Sequence, residues 1–136
     1  MNNNKLYDGA DLLGRVLISA IFILAGATKL GAGYAGTQAY MASMGVPGAL
    51  LPLVILVELG GGLLVLAGLW TRAAAFAVGG FSGLAALLFH FKPDDQMQMM
   101  LFMKDFAMAG GMLFLVAHGA RAFSIDGWRA SKAATP

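Results

Sequence analysis

The sequence predicts an all-α polytopic membrane protein: a bundle of four transmembrane helices, with one short interfacial helix between the first and second spans. Three observations carry this. Of the 136 residues, 59% are hydrophobic and only 12% are charged, against about 25% charged in a soluble domain, so the chain cannot clothe itself in polar surface. Four apolar stretches, at residues 12–30, 50–70, 73–91 and 99–118, each approach the ~20 residues that carry a helix across a ~30 Å hydrocarbon core. None shows the two-residue alternation of a membrane barrel strand. At this length the whole chain, 1–136, reads as a single transmembrane domain.

The first stretch ends in small residues near Ala27, as a signal peptide does. Asp8, Asp11 and Arg15 precede it, however, and Lys29 stands where cleavage would fall, so it reads as a retained helix. Between Gly31 and Gly48 lies a segment rich in Gly, Ala, Met and Tyr. Within it residues 37–44 predict the interfacial helix, stopped by Gly45-Val46-Pro47-Gly48, with Tyr34 and Tyr40 suited to the headgroup zone. The second and third spans meet at a tight turn, Trp70-Thr71-Arg72. The third and fourth are joined by Lys92-Pro93-Asp94-Asp95-Gln96, where Pro93 stops one helix and the aspartates open the next. Ala75, Gly79 and Gly83 recur every four residues, and Gly60-Gly61-Gly62 and Gly110-Gly111 fall within spans. Such small residues predict close helix contacts.

Orientation follows from Lys and Arg. An even number of spans puts both termini and the second loop on one side, with Lys5, Arg15, Arg72, Arg121, Arg129 and Lys132; Lys29, Lys92 and Lys104 lie opposite. The richer side is cytoplasmic, with Trp70 and Trp128 as interfacial anchors there. Arg15 and Arg72 become basic positions of the cytoplasmic face, Arg15 meeting headgroup phosphate or Asp11. The net charge of +2 belongs to these loops. No basic stripe with interleaved aromatics is present, so membrane lipid, not nucleic acid, is the expected partner.

The chain has 0 Cys, which excludes disulfides, thiolate metal sites, iron–sulfur clusters and thiol redox catalysis. Ionisable groups inside lipid are costly unless paired and are therefore the informative ones. Lys29, Glu58, His90, Lys104 and Asp105 all fall in the outer half of the bundle, and the charges of Lys29, Glu58, Lys104 and Asp105 cancel. Glu58 is the deepest, ~12 Å from the outer end of its helix at 1.5 Å per residue. It is either one side of a pair with Lys29 or Lys104 that holds helices in register, or part of a polar pocket that binds a proton, a quinone oxygen or another polar head. His90 and His118 sit at opposite faces and cannot share one haem iron. Met97, Met99, Met100 and Met103 could attract Cu(I), but methionine is also a flexible filler of apolar gaps; no metal site is assigned.

The order of several short motifs resembles the DoxX family of small bacterial and archaeal membrane proteins, from Arg15 to Asp126. The motifs are Phe22-x-x-Ala25-Gly26-x-x-Lys29-Leu30, Gly45-Val46-Pro47, Glu58-Leu59-Gly60-Gly61, Gly68-Leu69-x-Thr71-Arg72, and Lys104 followed by Gly110-Gly111. The resemblance implies a four-helix bundle in a bacterial inner membrane, and Arg15, Lys29, Glu58, Arg72 and Lys104 as the positions to carry over. It also implies links to quinone-coupled sulfur oxidation or to aromatic and oxidative stress in some relatives. Where the family often has Lys-Asn, this chain has Lys104-Asp105, an added carboxylate near Glu58. Three functions then compete. In the first, a membrane subunit with no intrinsic cofactor positions a quinone while a redox partner protein moves the electrons. The second is a non-enzymatic scaffold or assembly protein. The third is a small proton-coupled transporter, working as a homo-oligomer. No self-contained redox centre or catalytic motif is visible.

Overall fold

A computed structural model of the chain describes residues 3–135. Among these, helix alternates with short turns and no strand is present. The helices are α1 (Asn3–Thr28), α2 (Gly33–Ser43), α3 (Gly48–Ala67), α4 (Thr71–His90), α5 (Gln96–His118) and α6 (Ile125–Ala133). α1, α3, α4 and α5 are long and apolar enough to cross a membrane. They run up and down, so the start of α1, the α3–α4 turn and α6 gather at one end, called here the terminal end; α2 lies at the other, the far end.

The helix ends differ from those expected, for local reasons. α1 starts well before residue 12, because its polar opening holds no proline and its carboxylates find partners in Arg15 and Arg121. α3 stops at Ala67 because Gly68 takes a left-handed conformation, φ +66°, the usual glycine stop at a helix C-terminus. α4 then begins at Thr71, after Trp70 at φ +46°. α5 opens early, at Gln96, because the Asp95 carboxylate accepts hydrogen bonds from the Met97 and Gln98 N–H groups, a side-chain cap. The helix between the first two spans covers Gly33–Ser43, starting earlier than residue 37 and yielding to Gly45 at φ +77°. Two spans contain π-helical turns: Leu56–Gly61 in α3 and Ala86–His90 in α4.

α1 packs on α3 and α4 on α5. The close approaches rest on missing side chains. A Cβ on Gly26 would lie 2.7 Å from the Leu59 nitrogen, and one on Gly61 2.5 Å from Val78 Cγ2. The core comprises Phe22, Val65, Ala74, Ala75, Val78 and Met112, all in the middle and terminal half. On α4 the small-residue face is used only in part. Ala75 is fully buried and Gly79 faces Met112, but nothing lies within 4 Å of a Cβ placed on Gly83.

Candidate functional site

The far half of the bundle is hollow. A cavity of about 370 Å³ lies among α1, α3, α4 and α5, beneath α2. Most of its lining is aliphatic or aromatic, and the polar groups stand on two walls. On the first wall, Lys29 at the end of α1 reaches α3. Its Nζ donates to Glu58 Oε2 at 2.7 Å and to the Ala25 carbonyl at 3.2 Å. Glu58 sits within the π-helical turn of α3 and is buried. Such single wide turns are common at functional sites, where they re-aim a side chain.

The second wall joins α4 to α5. His90, in the π-helical turn of α4, places Nδ1 2.8 Å from Gln98 Oε1 and Nε2 3.7 Å from Asp105 Oδ2. The latter is an ion pair only when the imidazole is protonated. Lys104 Nζ lies 4.0 Å from Asp105 Oδ1, and its side chain is 46% exposed, so it contributes little binding energy to that carboxylate. Buried Ser82 donates to the Asp105 backbone carbonyl at 3.0 Å and fixes the helix pair beside the wall.

α2 closes the far end. Thr37, Tyr40 and Met41 line the cavity from above. Tyr40 stacks on Phe89 of α4 at 5.7 Å between ring centroids, and Gln38 Nε2 donates to the Gly48 carbonyl at 3.2 Å. Among the described residues, no fully buried side-chain nitrogen or oxygen lacks a hydrogen-bond partner.

Thus Lys29, Glu58, His90, Lys104 and Asp105 all border one cavity, and Glu58 takes Lys29, not Lys104, as its partner. Arg15 and Arg72 lie elsewhere. Arg15 does bond Asp11, at 3.0 Å, but it does not face headgroups. It is fully buried and donates to the carbonyls of Val65 at 3.3 Å, Leu66 at 2.7 Å and Phe123. The segment after α5 folds back over it and excludes lipid. Arg72 is exposed at the terminal end, beside Gly119. Met97, Met100 and Met103 are exposed as well, and no cluster of three or more His, Cys, Asp or Glu occurs among the described residues.

Sequence reading missed Gln98 and Ser82, which are uncharged and carry no depth signal of their own, and took Tyr40 only as a headgroup-zone residue, not as part of the cavity wall. It also missed Asp126. This carboxylate accepts hydrogen bonds from the Trp70 N–H at 3.0 Å, the Thr71 N–H at 2.9 Å and the Thr71 hydroxyl at 2.7 Å. Partial burial pushes its pKa up, but the bonds from Thr71 and Trp70 together outweigh that and hold it below its ordinary value of 3.8.

The cavity therefore offers cationic donors and anionic acceptors on facing walls of an otherwise apolar box. Such an arrangement has the chemistry to take a compact polar head and leave the rest of a ligand in hydrocarbon-like surroundings.

The DoxX family model matches residues 10–91, a stretch with Arg15, Lys29, Glu58, Arg72 and His90 that stops short of Lys104 and Asp105. Inner membrane protein YqjF of Escherichia coli (strain K12) is 48% identical over 122 residues, spanning 90% of this chain and 93% of that protein. Inner membrane protein YphA of the same organism is 33% identical over 122 residues, spanning 85% of this chain and 86% of its own length. No solved structure gives a significant match.

Proposed function

This chain belongs to the DoxX family, and from that premise we propose that it is an accessory inner-membrane protein that binds a quinone or a similar lipid-soluble ring compound. The likeness to two inner membrane proteins supports the compartment. The distribution of Lys and Arg supports cytoplasmic termini, which makes the far half the outer half. One observation carries the binding reading: the 2.7 Å Lys29–Glu58 pair borders a cavity of about 370 Å³. That volume lies within the roughly 300–1,000 Å³ of small-molecule sites. A ring carbonyl takes a hydrogen bond from Lys29, or a ring hydroxyl gives one to Glu58, and the apolar walls take the ring. Electrons are moved by a redox partner protein, and the chain supplies position and hydrogen bonds.

A second reading rests on the same pair. Lys29–Glu58 ties α1 to α3, so a scaffold that merely holds its helices in register would also carry it. The two readings separate on Glu58→Gln. We expect mass spectrometry of the protein purified in mild detergent to show a quinone-class compound enriched with the wild type and lost from a folded Glu58→Gln variant. Loss of folding in that variant would favour the scaffold, since breaking a buried ion pair costs about 3–5 kcal/mol. The binding proposal fails if no such compound accompanies the wild type.

A further inference from the structure

The cavity is covered at its far end and open at its side. α2 lies over the end, with Met41 buried and Tyr40 stacked on Phe89. α3 and α4 diverge below it. They are joined at the terminal end by the short turn through Gly68 and Trp70, and touch closely where Gly61 meets Val78. Beyond that contact the far part of α3, Gly48–Ile55, and the last turn of α4, Ala86–His90, come close to one another at few points at most. The two helices form a V that opens toward the far end.

The side chains at the opening show what it faces. Leu50 and Leu53 on α3, and Leu84 and Leu88 on α4, all line the cavity. Each is also well exposed, Leu53 at 57% and Leu84 at 55%. On α3 and α4 these are the cavity-lining residues that are also exposed, and they mark the opening between the two helices. All four are leucine, on spans apolar enough to cross a membrane, so the exterior they meet suits hydrocarbon. The charged groups stand on the other two walls, α1–α3 and α4–α5.

We infer that the α3–α4 cleft is a lateral portal to the lipid, so that the ligand is a ring-headed amphiphile whose apolar chain stays in the cleft between Leu50, Leu53, Leu84 and Leu88. This rests on the proposed binding of a ring head beside Lys29 and Glu58, and adds the route and the tail. A chain lying there stays in surroundings like the acyl region it came from, so it crosses no water and gives up no favourable solvation. The head loses only the lipid around it and gains the polar walls. A ligand arriving from water would instead have to displace α2.

The test uses the whole protein in lipid nanodiscs and two probes, one benzoquinone ring with a decyl chain and the same ring without it. Binding is measured in the wild type, in Leu53→Trp/Leu84→Trp, and in Leu17→Trp, an exposed α1 position away from the cavity. Indole groups in the cleft crowd the chain but not the head. We expect the double variant to bind the chain-bearing ring about tenfold more weakly, with the chainless ring little changed and Leu17→Trp like the wild type; a tenfold change is about 1.4 kcal/mol. In the wild type, a photoreactive diazirine at the chain end should label α3 and α4 at Leu50–Leu53 and Leu84–Leu88. The portal is overturned if the wild type binds both rings and the double variant weakens neither or both alike, or if the label falls on other helices. If the wild type binds neither ring, the proposed function falls and takes the portal with it. Should the double variant fail to fold, the labelling pattern in the wild type decides alone.

Discussion

Arg15 and Asp126 complete two helix ends that meet at one turn. The last carbonyls of a helix and its first N–H groups have no partner within the helix. At the C-terminus of α3, Arg15 supplies donors to Val65 and Leu66 from the neighbouring α1. At the N-terminus of α4, Asp126 accepts from Thr71 and Trp70. Each charge has the sign that its helix dipole favours. The Asp126 N–H also donates to the Gly68 carbonyl at 2.8 Å, so the first turn of α6 is tied to the α3–α4 turn through both backbone and side chain. Asp126→Ala should cost about 1–2 kcal/mol, as loss of a helix cap does, and should speed tryptic cleavage after Arg129 at neutral pH. The wild type should show a related acid sensitivity. Because the folded Asp126 pKa lies below its ordinary 3.8, its contribution is fully present above that value and is lost as pH falls through the folded pKa. Hydrogen exchange of the α6 amides, compared with Asp126→Asn, reads this directly. If the wild type and the variant release α6 over the same pH range, Asp126 does not hold it.

At the scale of the helices, the glycines of α3 serve two neighbours at once. Gly61 faces Val78 of α4, and a Cβ on Gly62 would lie 2.9 Å from Ile23 Cγ1 of α1. Gly61→Ala should destabilise the protein in detergent by about 1–3 kcal/mol through overpacking. Adding Val78→Ala should then recover part of the loss, a non-additivity that residues in contact show. Strict additivity of the two changes in thermal unfolding would place the contact elsewhere. That α3 crosses the membrane was legible, because span length and composition need no tertiary information. That α3 ends at Ala67 was less so, since Leu69 and Trp70 continue the apolar run and only the left-handed Gly68 stops it. The wide turns at Leu56–Gly61 and Ala86–His90 left no mark in the sequence, because one extra residue in a turn is decided by what the helix packs against. For the site, counting residues along each span gave the common depth of Lys29, Glu58, His90, Lys104 and Asp105. Their pairing was not readable, since depth says nothing of how each helix is rotated about its axis. The burial of Arg15 was hidden for a related reason: the segment that covers it comes from Phe123, far along the chain and without periodicity.

Across the whole molecule, the two ends are built differently, and the difference bears on function. The packed core of Val65, Ala74, Ala75, Val78 and Met112 and the Arg15 and Asp126 contacts hold the terminal end. The far half encloses a cavity, and the far parts of α3 and α4 approach one another at few points at most. A region with fewer buried apolar contacts opens at lower free energy than the core beside it. Amides of Ala86–His90 and Gly33–Ser43 should therefore exchange with deuterium faster than those of Ala74–Val78, by roughly tenfold or more for a difference of about 1.4 kcal/mol in local opening. Such slack suits a site whose contents must enter between helices, because a rigid far end would admit no bulky head. A ligand that binds only the folded site stabilises it by mass action. The chain-bearing ring should then slow exchange in the far half and leave the protected Ala74–Val78 segment unchanged. Uniform exchange along α4 without ligand would mean that the hollow end is as tightly held as the core, and a lateral route into it would need another source of motion.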